Sequence, residues 1–204
     1  MLILKLLDIN SIRDIPVTIT DKLGDGSDGE VFSIKEDINK VIKLSILFDF
    51  DLEDLNKRFE SISEIFNYLI INTFPYFAKV YEQSYLCQWE AKLADGSYRK
   101  YICYYSIMEK LQKISEDEKK VFHSIICHED REIKKDYTVE NIKEMLHGMS
   151  FGLDFDDERI ISFIKKLRTS PIEHLDIHVR NIMKDSRGNF KMIDFERVKF
   201  NNKL

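Results

Sequence analysis

The sequence predicts an α+β protein, with an antiparallel β-sheet and one long helix followed by a mostly helical segment. Residues 17–46 alternate apolar and polar side chains around a glycine cluster, which is typical of antiparallel strands joined by tight turns. Residues 51–72 carry apolar side chains at helical spacing. The chain from residue 115 to residue 168 again shows helical periodicity, so the helices concentrate in the second half.

The composition of the 204 residues fits one large domain or two small lobes. Apolar residues make up 44% of the chain and charged residues 33%, with a net charge of −5. Because the charges are mixed in sign, a nucleic-acid-binding protein is disfavoured. No apolar run approaches the ~20 residues of a membrane span, and the apolar N-terminus lacks a basic region and a cleavage site. Three widely spaced cysteines indicate a reducing compartment. We therefore expect a cytoplasmic protein, located either in its own cell or, after delivery, in the cytosol of a host cell.

Strands are predicted over residues 17–23, 31–35 and 40–45. Between the first two, the glycines follow the spacing Gly-x-Gly-x-x-Gly. Glycine lets backbone N–H groups approach a phosphate closely. Because a strand rather than a helix follows, the motif does not match a dinucleotide-binding turn. A phosphate-covering loop and a plain hairpin loop remain, and Asp25 and Asp28 disfavour the former unless their side chains point to solvent.

The third predicted strand contains a lysine between apolar residues, in Val41-Ile42-Lys43-Leu44. A lysine buried alone is costly, so Lys43 needs a phosphate or a carboxylate unless it extends to solvent from a sheet edge. The helix predicted over residues 51–72 offers two carboxylates, Glu60 and Glu64.

Two more strands are predicted over residues 80–89 and 98–108, joined by a turn at residues 94–97. The segment Met108-Glu109-Lys110-Leu111 follows them. Ser115-x-x-Glu118 has the form of a capping box and predicts a helix to about residue 128. Further helices are predicted over residues 138–147 and 156–168.

Asp176 and Asn181 lie five residues apart, and a predicted hairpin separates them from Asp194. The hairpin spans residues 184–191, with Gly188 and Asn189 at the positive-φ positions of its turn. Since a hairpin returns the chain to its starting point, we expect Asp194 to lie beside Asp176 and Asn181. Two carboxylates and an amide suit Mg²⁺ held together with substrate phosphates.

The pattern His174-x-Asp176-x-x-x-x-Asn181, followed by Asp194-Phe195-Glu196, resembles the catalytic loop and metal-binding motif of the protein-kinase-like superfamily. Glu196 stands where the family usually has glycine. His178 resembles the aminoglycoside and choline kinase branch. The glycine spacing and the Val41–Leu44 strand extend the resemblance over nearly the whole chain.

The resemblance implies a bilobal protein-kinase-like fold, with residues 1–110 as the N-lobe and 111–204 as a reduced C-lobe. Only ten residues follow Asp194, so we expect no activation segment and no later helices. In outline the chain is similar to small bacterial effector kinases and phage-encoded kinases.

The resemblance also implies roles in ATP- and Mg²⁺-dependent phosphoryl transfer. Asp176 would orient the substrate hydroxyl and accept its proton, and His178 would contact the transferred phosphate. Lys43 would pair with the α- and β-phosphates, held by Glu64, whose position fits the family spacing better than that of Glu60. The remaining assignments are Mg²⁺ ligation by Asn181 and Asp194, and ATP binding by Gly24, Gly26, Ser27, Gly29, Val31, Val41, Lys43, Met108, Glu109, Leu111 and Met183. Within the last set, backbone groups of Glu109 and Leu111 would meet the adenine edge and Met108 would lie behind it.

Three functions remain open on the sequence alone. The first is a protein kinase that acts on Ser, Thr or Tyr of a protein substrate. The second is a small-molecule phosphotransferase of the aminoglycoside or choline kinase type, which His178 and Glu196 favour. The third is a non-catalytic pseudokinase, which the retention of Lys43, Asp176, Asn181 and Asp194 disfavours. We expect a monomer that binds neither nucleic acid nor membrane.

Overall fold

A computed structural model describes residues 15–25, 29–127, 132–133, 138, 140 and 157–201. The chain divides into two compact units. Unit 1 comprises Met1–Thr73 and Lys79–Lys110, and unit 2 comprises Phe74–Ala78 and Leu111–Leu204. The helix predicted over residues 138–147 lies outside the described residues, apart from residues 138 and 140. No helix in the described ranges is both long enough and apolar enough to span a membrane.

Unit 1 contains a five-stranded antiparallel sheet in the order β1-β2-β3-β5-β4. This confirms the predicted α+β class with an antiparallel sheet. The first strand begins two residues later than predicted, and the third continues four residues further. The strands are β1 (Ile19–Asp25), β2 (Gly29–Ile34), β3 (Lys40–Asp49), β4 (Val80–Lys92) and β5 (Tyr98–Glu109).

Alternate residues of these strands face a common apolar core, as the two-residue period of a strand requires. Ile42 and Leu44 of β3 are fully buried, and they lie with Phe32 of β2 and Tyr105 and Ile107 of β5. The residues between them, including Lys43, point to the opposite face of the sheet.

One helix, α1 (Leu52–Ile71), follows β3 as predicted. Asp51 caps its N-terminus, because its side chain accepts hydrogen bonds from the N–H groups of Glu53 and Asp54. The predicted apolar stripe is the packed side of the helix, and the rings of Phe59 and Phe66 contact Tyr104 of β5. Its buried residues are Leu55, Ile62, Ile65, Phe66 and Leu69.

Unit 2 contains two described helices, α2 (Glu116–Ile125) and α3 (Asp157–Arg168). The capping box of Ser115 and Glu118 is present, as predicted. The helix ends at Ile125 rather than near residue 128, because the chain passes into a short strand there. The short strands of unit 2 are β6 (Gln112–Lys113), β7 (Ile126–Cys127), β8 (Glu132–Ile133), β9 (Ile172–His174), β10 (Ile182–Lys184), β11 (Phe190–Met192) and β12 (Val198–Phe200).

The predicted hairpin is formed by β10 and β11, with β6 beside β10. Gly188 has a positive φ of 83°, as expected. The prediction for Asn189 was wrong, since its φ is not positive. Asp185 explains the difference: its Oδ1 accepts the N–H groups of Arg187 and Asn189 at 2.9 Å, so one left-handed residue is enough to close the loop.

Three aromatic rings hold this hairpin against the helices of unit 2. Phe190 of β11 packs edge-on against Phe122 of α2, with ring centroids 5.0 Å apart. Phe163 of α3 contacts both rings. Burial of such rings contributes about 1.5–3 kcal/mol each, so the hairpin has a fixed support.

Candidate active site

The segment after β9 carries Asp176 and Asn181 on a short turn. A 3-10 helix, Val179–Asn181, closes when the N–H of Asn181 donates to the carbonyl of His178 at 2.9 Å. The Nδ1 atom of His178 accepts the N–H of Arg180 at 3.1 Å and caps this turn. Both Asp176 and Asn181 are buried polar residues.

His174 connects this segment to the end of β11. Its Nδ1 accepts the N–H of Asp176 at 3.2 Å, and its Nε2 lies 3.0 Å from the carbonyl of Ile193. Because Nδ1 is an acceptor, the proton of the neutral ring is on Nε2, where it donates to Ile193. Burial lowers the pKa of His174 from its ordinary value of 6.5, although Asp194 and Asp176 oppose this shift. The ring therefore acts as a neutral link between the two strands.

Asp194 follows directly on this link. The N–H of Ile193 donates to the carbonyl of Asn181 at 2.9 Å, so the end of the hairpin lies beside the 3-10 turn. Asp194 has φ 69° and ψ 82° and has the only positive φ among non-glycine residues in the described ranges. A left-handed non-glycine residue costs about 1–3 kcal/mol, and such residues concentrate at functional sites. The hairpin thus places the backbone before Asp194 against that of Asn181, and the His174 ring contacts the backbone of both Asp176 and Ile193. The convergence of the side chains of Asp176, Asn181 and Asp194 stays a prediction.

The side chain of Asn181 is held through its amide nitrogen. Its Nδ2 donates to the carbonyl of Asp176 at 3.0 Å, which turns Oδ1 to the other side of the amide. An amide oxygen next to carboxylates is the donor set that Mg²⁺ accepts, with phosphates and water completing the coordination. No group of three or more His, Cys, Asp or Glu residues fit to hold a metal occurs among the residues described.

His178 lies close to Asp176, with Nε2 3.7 Å from Oδ2. Its Nδ1 is occupied by the N–H of Arg180, so only Nε2 faces the carboxylate. The side chain of His178 is 31% exposed and that of Asp176 is 12% exposed. An acidic group with a partly accessible imidazole beside it can accept a proton and contact an incoming anion.

A buried pair of aromatic rings packs next to Asp194, because Phe195 directly follows it in the chain. Phe195 packs edge-on against Phe77, with ring centroids 5.8 Å apart. The backbone around Phe77 follows β11, since Met192 donates to the carbonyl of Tyr76 and accepts the N–H of Ala78, both at 2.9 Å. The 74–78 segment thereby belongs to unit 2 and fixes the residue after Asp194.

In unit 1, Gly29 and Lys43 are neighbours. A Cβ atom built on Gly29 would lie 2.7 Å from the carbonyl oxygen of Leu44 and 3.0 Å from Cε of Lys43. Only glycine fits this approach. Val31 pairs directly with Lys43 in the β2–β3 register. The last glycine of the motif therefore covers the stem of the lysine.

The stem of the glycine loop contains an ion pair that was not predicted from the sequence. Lys22 Nζ lies 2.6 Å from buried Glu30 and 3.0 Å from Asp25. The hydrogen bond to Glu30, and to a smaller extent that to Asp25, raises the pKa of Lys22 above its ordinary value. The side chain of Asp25 is 70% exposed, and its carboxylate is paired with Lys22.

The other glycine positions of the motif have open surroundings or are not described. Gly24 pairs with Val31, and a Cβ atom built on it would have no atom within 4 Å. Gly26, Ser27 and Asp28 lie outside the described residues. Their expected contacts with phosphate therefore stay predictions.

Glu60 and Glu64 both lie on the exposed side of α1. Their exposure does not distinguish them as partners for Lys43, so the preference for Glu64 stays a prediction. Lys43 itself is half-buried on β3.

The residues expected at the adenine edge lie at the ends of strands. Met108 is buried between Val41 of β3 and Val80 of β4. The N–H of Glu109 donates to the carbonyl of Lys79 at 2.9 Å, so Glu109 could meet an adenine only through its carbonyl. In unit 2, Leu111 precedes β6, and Met183 is half-buried on β10, paired with Lys113 and Lys191.

Sequence reasoning missed the part that Ile193 plays, because an apolar residue before Asp194 suggests only packing. It also missed the pairing of Lys22 with Glu30; their alternation with apolar residues in adjacent strands was the available signal. Comparison with models of known protein families found no match for this chain. A search of curated proteins likewise found no similar sequence. Function is therefore inferred from the geometry of these side chains.

Proposed function

We propose that this protein is an ATP- and Mg²⁺-dependent phosphotransferase of the protein-kinase-like superfamily, with the bilobal organisation of that family. One observation carries the proposal: His174 and Asn181 both hydrogen-bond to the backbone of Ile193, the residue directly before Asp194. A left-handed Asp194 and an Asn181 with its amide oxygen turned outward support the same assignment.

The roles follow from the needs of phosphoryl transfer, which depends on charge neutralisation and positioning. Asn181 and Asp194 hold Mg²⁺ on the ATP phosphates. Asp176 orients the acceptor hydroxyl and receives its proton. Lys43 pairs with the α- and β-phosphates, and the N–H groups of the glycine loop cover the phosphate end.

We further propose that the phosphate acceptor is a protein. The modified residue is Ser or Thr, with Tyr as the alternative. The glycine loop supports this choice, since its strand–loop–strand setting matches the form found in protein kinases. The enzyme acts as a monomer.

A small-molecule acceptor is the second candidate, and His178 favours it. Its Nε2 faces Asp176 at 3.7 Å, where the resemblance to aminoglycoside and choline kinases expects a histidine. In a third candidate, a pseudokinase, the same residues bind nucleotide without transfer. The alignment of Asp176, Asn181 and Asp194 opposes it, because nucleotide binding alone does not need a residue that accepts a proton.

Transfer of the γ-phosphate separates these candidates. The purified protein is incubated with γ-labelled ATP and Mg²⁺ alone, with a cell lysate, and with a metabolite pool. Label on protein that is lost in Asp176→Asn supports the protein kinase. Label only on small molecules supports the second candidate. No transfer under any condition, with nucleotide binding retained, refutes an enzymatic role. Glu173→Gln, a nearby carboxylate paired with Lys199, is the matched control.

A further inference from the structure

Two cysteines of unit 1 lie directly opposite each other in the sheet. Cys87 on β4 pairs with Cys103 on β5, and both are free thiols. Residues that pair directly in antiparallel strands have Cα atoms about 4.5–5.5 Å apart, which lies within the range that a disulfide bridges. The backbone therefore holds the two positions at a distance that suits a disulfide.

A β-bulge produces this pairing. Tyr85 is opposite Tyr104, but the next pair is Cys87 with Cys103, so β4 has one residue more than β5 at this point. In a regular ladder Leu86 would lie opposite Cys103, and Cys87 would point to the other face of the sheet. Bulges are known to re-aim side chains in this way. The extra residue thus turns the Cys87 side chain to the face that carries Cys103.

The two side chains meet on the core side of the sheet. Cys103 is fully buried in the apolar cluster that contains Ile42 and Leu44, and half-buried Cys87 packs against the same cluster. The thiols of Cys87 and Cys103 share a hydrogen bond. Burial, and to a smaller extent the neighbouring thiol, raises the pKa of Cys103 to about 12. One thiol is thus accessible to a small reagent, and the other is shielded from solvent but contacts the first.

We propose that Cys87 and Cys103 form a redox site that a hydroperoxide oxidises to a disulfide and a low-molecular-weight thiol reduces again. Cys87 reacts first because it is the more accessible thiol, and Cys103 resolves the product. Disulfides of cytosolic proteins are usually transient bonds of this kind, which fits the reducing compartment expected from the sequence. The site does not depend on phosphoryl transfer.

The two steps balance with one hydroperoxide. The Cys87 thiolate attacks a peroxide oxygen, the O–O bond breaks, and the leaving oxygen takes up the proton that Cys87 lost, as water or an alcohol. Cys103 then attacks the sulfur of the resulting sulfenic acid. The S–O bond breaks, and the departing hydroxide takes the Cys103 proton and leaves as water. The two thiols together lose two electrons and two protons, which the peroxide gains.

Oxidation of the full-length chain in a Cys127→Ser background tests the site, because only these two thiols remain. The reduced protein is treated with a stoichiometric amount of hydrogen peroxide, unfolded with an alkylating reagent present, and measured by mass spectrometry. We expect the chain to lose the mass of two hydrogen atoms, to take up no alkyl group, and to recover both thiols in dithiothreitol. Peptide mapping should join Cys87 to Cys103 within one chain.

Three other results overturn the site. The first is a chain whose two thiols are both alkylated after peroxide treatment. The second is a chain that accumulates sulfinic acid at Cys87 without forming a disulfide, since a resolving thiol in contact should react before further oxidation. The third is a disulfide that joins Cys87 of two chains, because it would show that Cys103 is not the nearer partner.

Single substitutions test the order of the two steps. In Cys103→Ser, Cys87 has no resolving partner, so a sulfenic acid should accumulate and react with dimedone. In Cys87→Ser, buried Cys103 should consume peroxide at least about tenfold more slowly. Equal rates contradict the proposed order. If Cys103→Ser does not fold, dimedone added early in the oxidation of the unsubstituted pair gives the same information. An adduct on Cys87 supports the order, and an adduct on Cys103 contradicts it.

A redox titration tests whether the fold itself favours the bond. In a glutathione buffer, the ratio of disulfide to dithiol should be at least about tenfold higher in the native protein than in the same chain unfolded by urea. Both states have the same sequence separation between the thiols, so the difference reports the alignment of β4 and β5. Equal ratios would show that the native sheet does not hold the two thiols at bonding distance and would overturn the site.

Discussion

Ile193 donates its N–H to the carbonyl of Asn181 at 2.9 Å, which fixes the position at which Asp194 leaves the hairpin. The carbonyl of Ile193 meets the ring of His174 on the other side. A residue with an apolar side chain thus ties together, through its backbone, the segments that carry Asp176, Asn181 and Asp194. A change in either hydrogen bond should move Asp194 relative to Asp176.

His174 should make stability depend on pH. Burial lowers its pKa from 6.5, so below that pH the unfolded chain binds a proton that the folded ring refuses. The contribution is fully present above about pH 6.5 and is lost as pH falls toward the folded pKa. In urea denaturation at about pH 7.5 and about pH 5.5, the wild type should lose more stability at the lower pH than His174→Gln.

The control for this measurement is His123→Gln, which replaces an exposed histidine of α2. It should keep the wild-type dependence on pH. Equal losses in the wild type and in His174→Gln would show that the ring is not held in its neutral form by burial.

Gly29 should tolerate no side chain. A Cβ would lie 2.7 Å from the backbone oxygen of Leu44, which cannot rotate away. We expect Gly29→Ala to reduce the free energy of unfolding by about 1–3 kcal/mol. Gly24→Ala is the matched change in the same motif and should cost less than about 0.5 kcal/mol, since nothing lies within 4 Å of its added Cβ. Similar losses in both variants, measured by chemical denaturation, would contradict the placement of Gly29 against β3.

The sequence predicted what depends on neighbouring residues and missed what depends on distant ones. The helix over residues 51–72, the Ser115 capping box and the 184–191 hairpin all rest on contacts between residues close in sequence, and each is present. The role of Ile193 depends on segments twelve and nineteen residues away. No local pattern encodes that distance.

Sequence periodicity also could not predict which polar side chains are buried. The apolar stripe of α1 is visible in the sequence, but the burial of a polar side chain such as that of Ser63 depends on which strands lie opposite. The positive φ of Asp194 was also unexpected, because the sequence suggested left-handed residues only at glycine and asparagine positions. The predicted positive φ of Asn189 was wrong for a related reason, because the side chain of Asp185 closes the loop.

The two described thiols of unit 1 should differ in reactivity. Cys87 and Cys103 are directly opposite each other on β4 and β5. Burial, together with the neighbouring Cys87 thiol, raises the pKa of Cys103 to about 12. Because the thiolate is the reactive form, a disulfide reagent should label half-buried Cys87 at least about tenfold faster than Cys103 in the native protein.

Labelling is followed by mass spectrometry of the native protein in a Cys127→Ser background. Denaturation should make the two rates similar. Equal rates in the native state would contradict the burial of Cys103.

Glu64 and Glu60 can be separated by charge removal. If Glu64 pairs with Lys43 in the nucleotide-bound protein, Glu64→Gln should raise the Kd for Mg²⁺ and ATP by about fivefold. Glu60→Gln, one helical turn earlier and also exposed, should leave the affinity unchanged. Isothermal titration checks both, and a larger effect at Glu60 would reverse the assignment.

Mg²⁺-dependent ATP binding by Asp194→Asn tests the central claim most directly, because this change keeps the size of the side chain and removes its charge. Titrations are made with and without Mg²⁺, beside the wild type and Glu173→Gln. We predict that Asp194→Asn binds ATP at least about a hundredfold more weakly with Mg²⁺, while the control matches the wild type. Wild-type affinity in Asp194→Asn, with the same dependence on Mg²⁺, would contradict the assignment of Asp194 as a metal ligand.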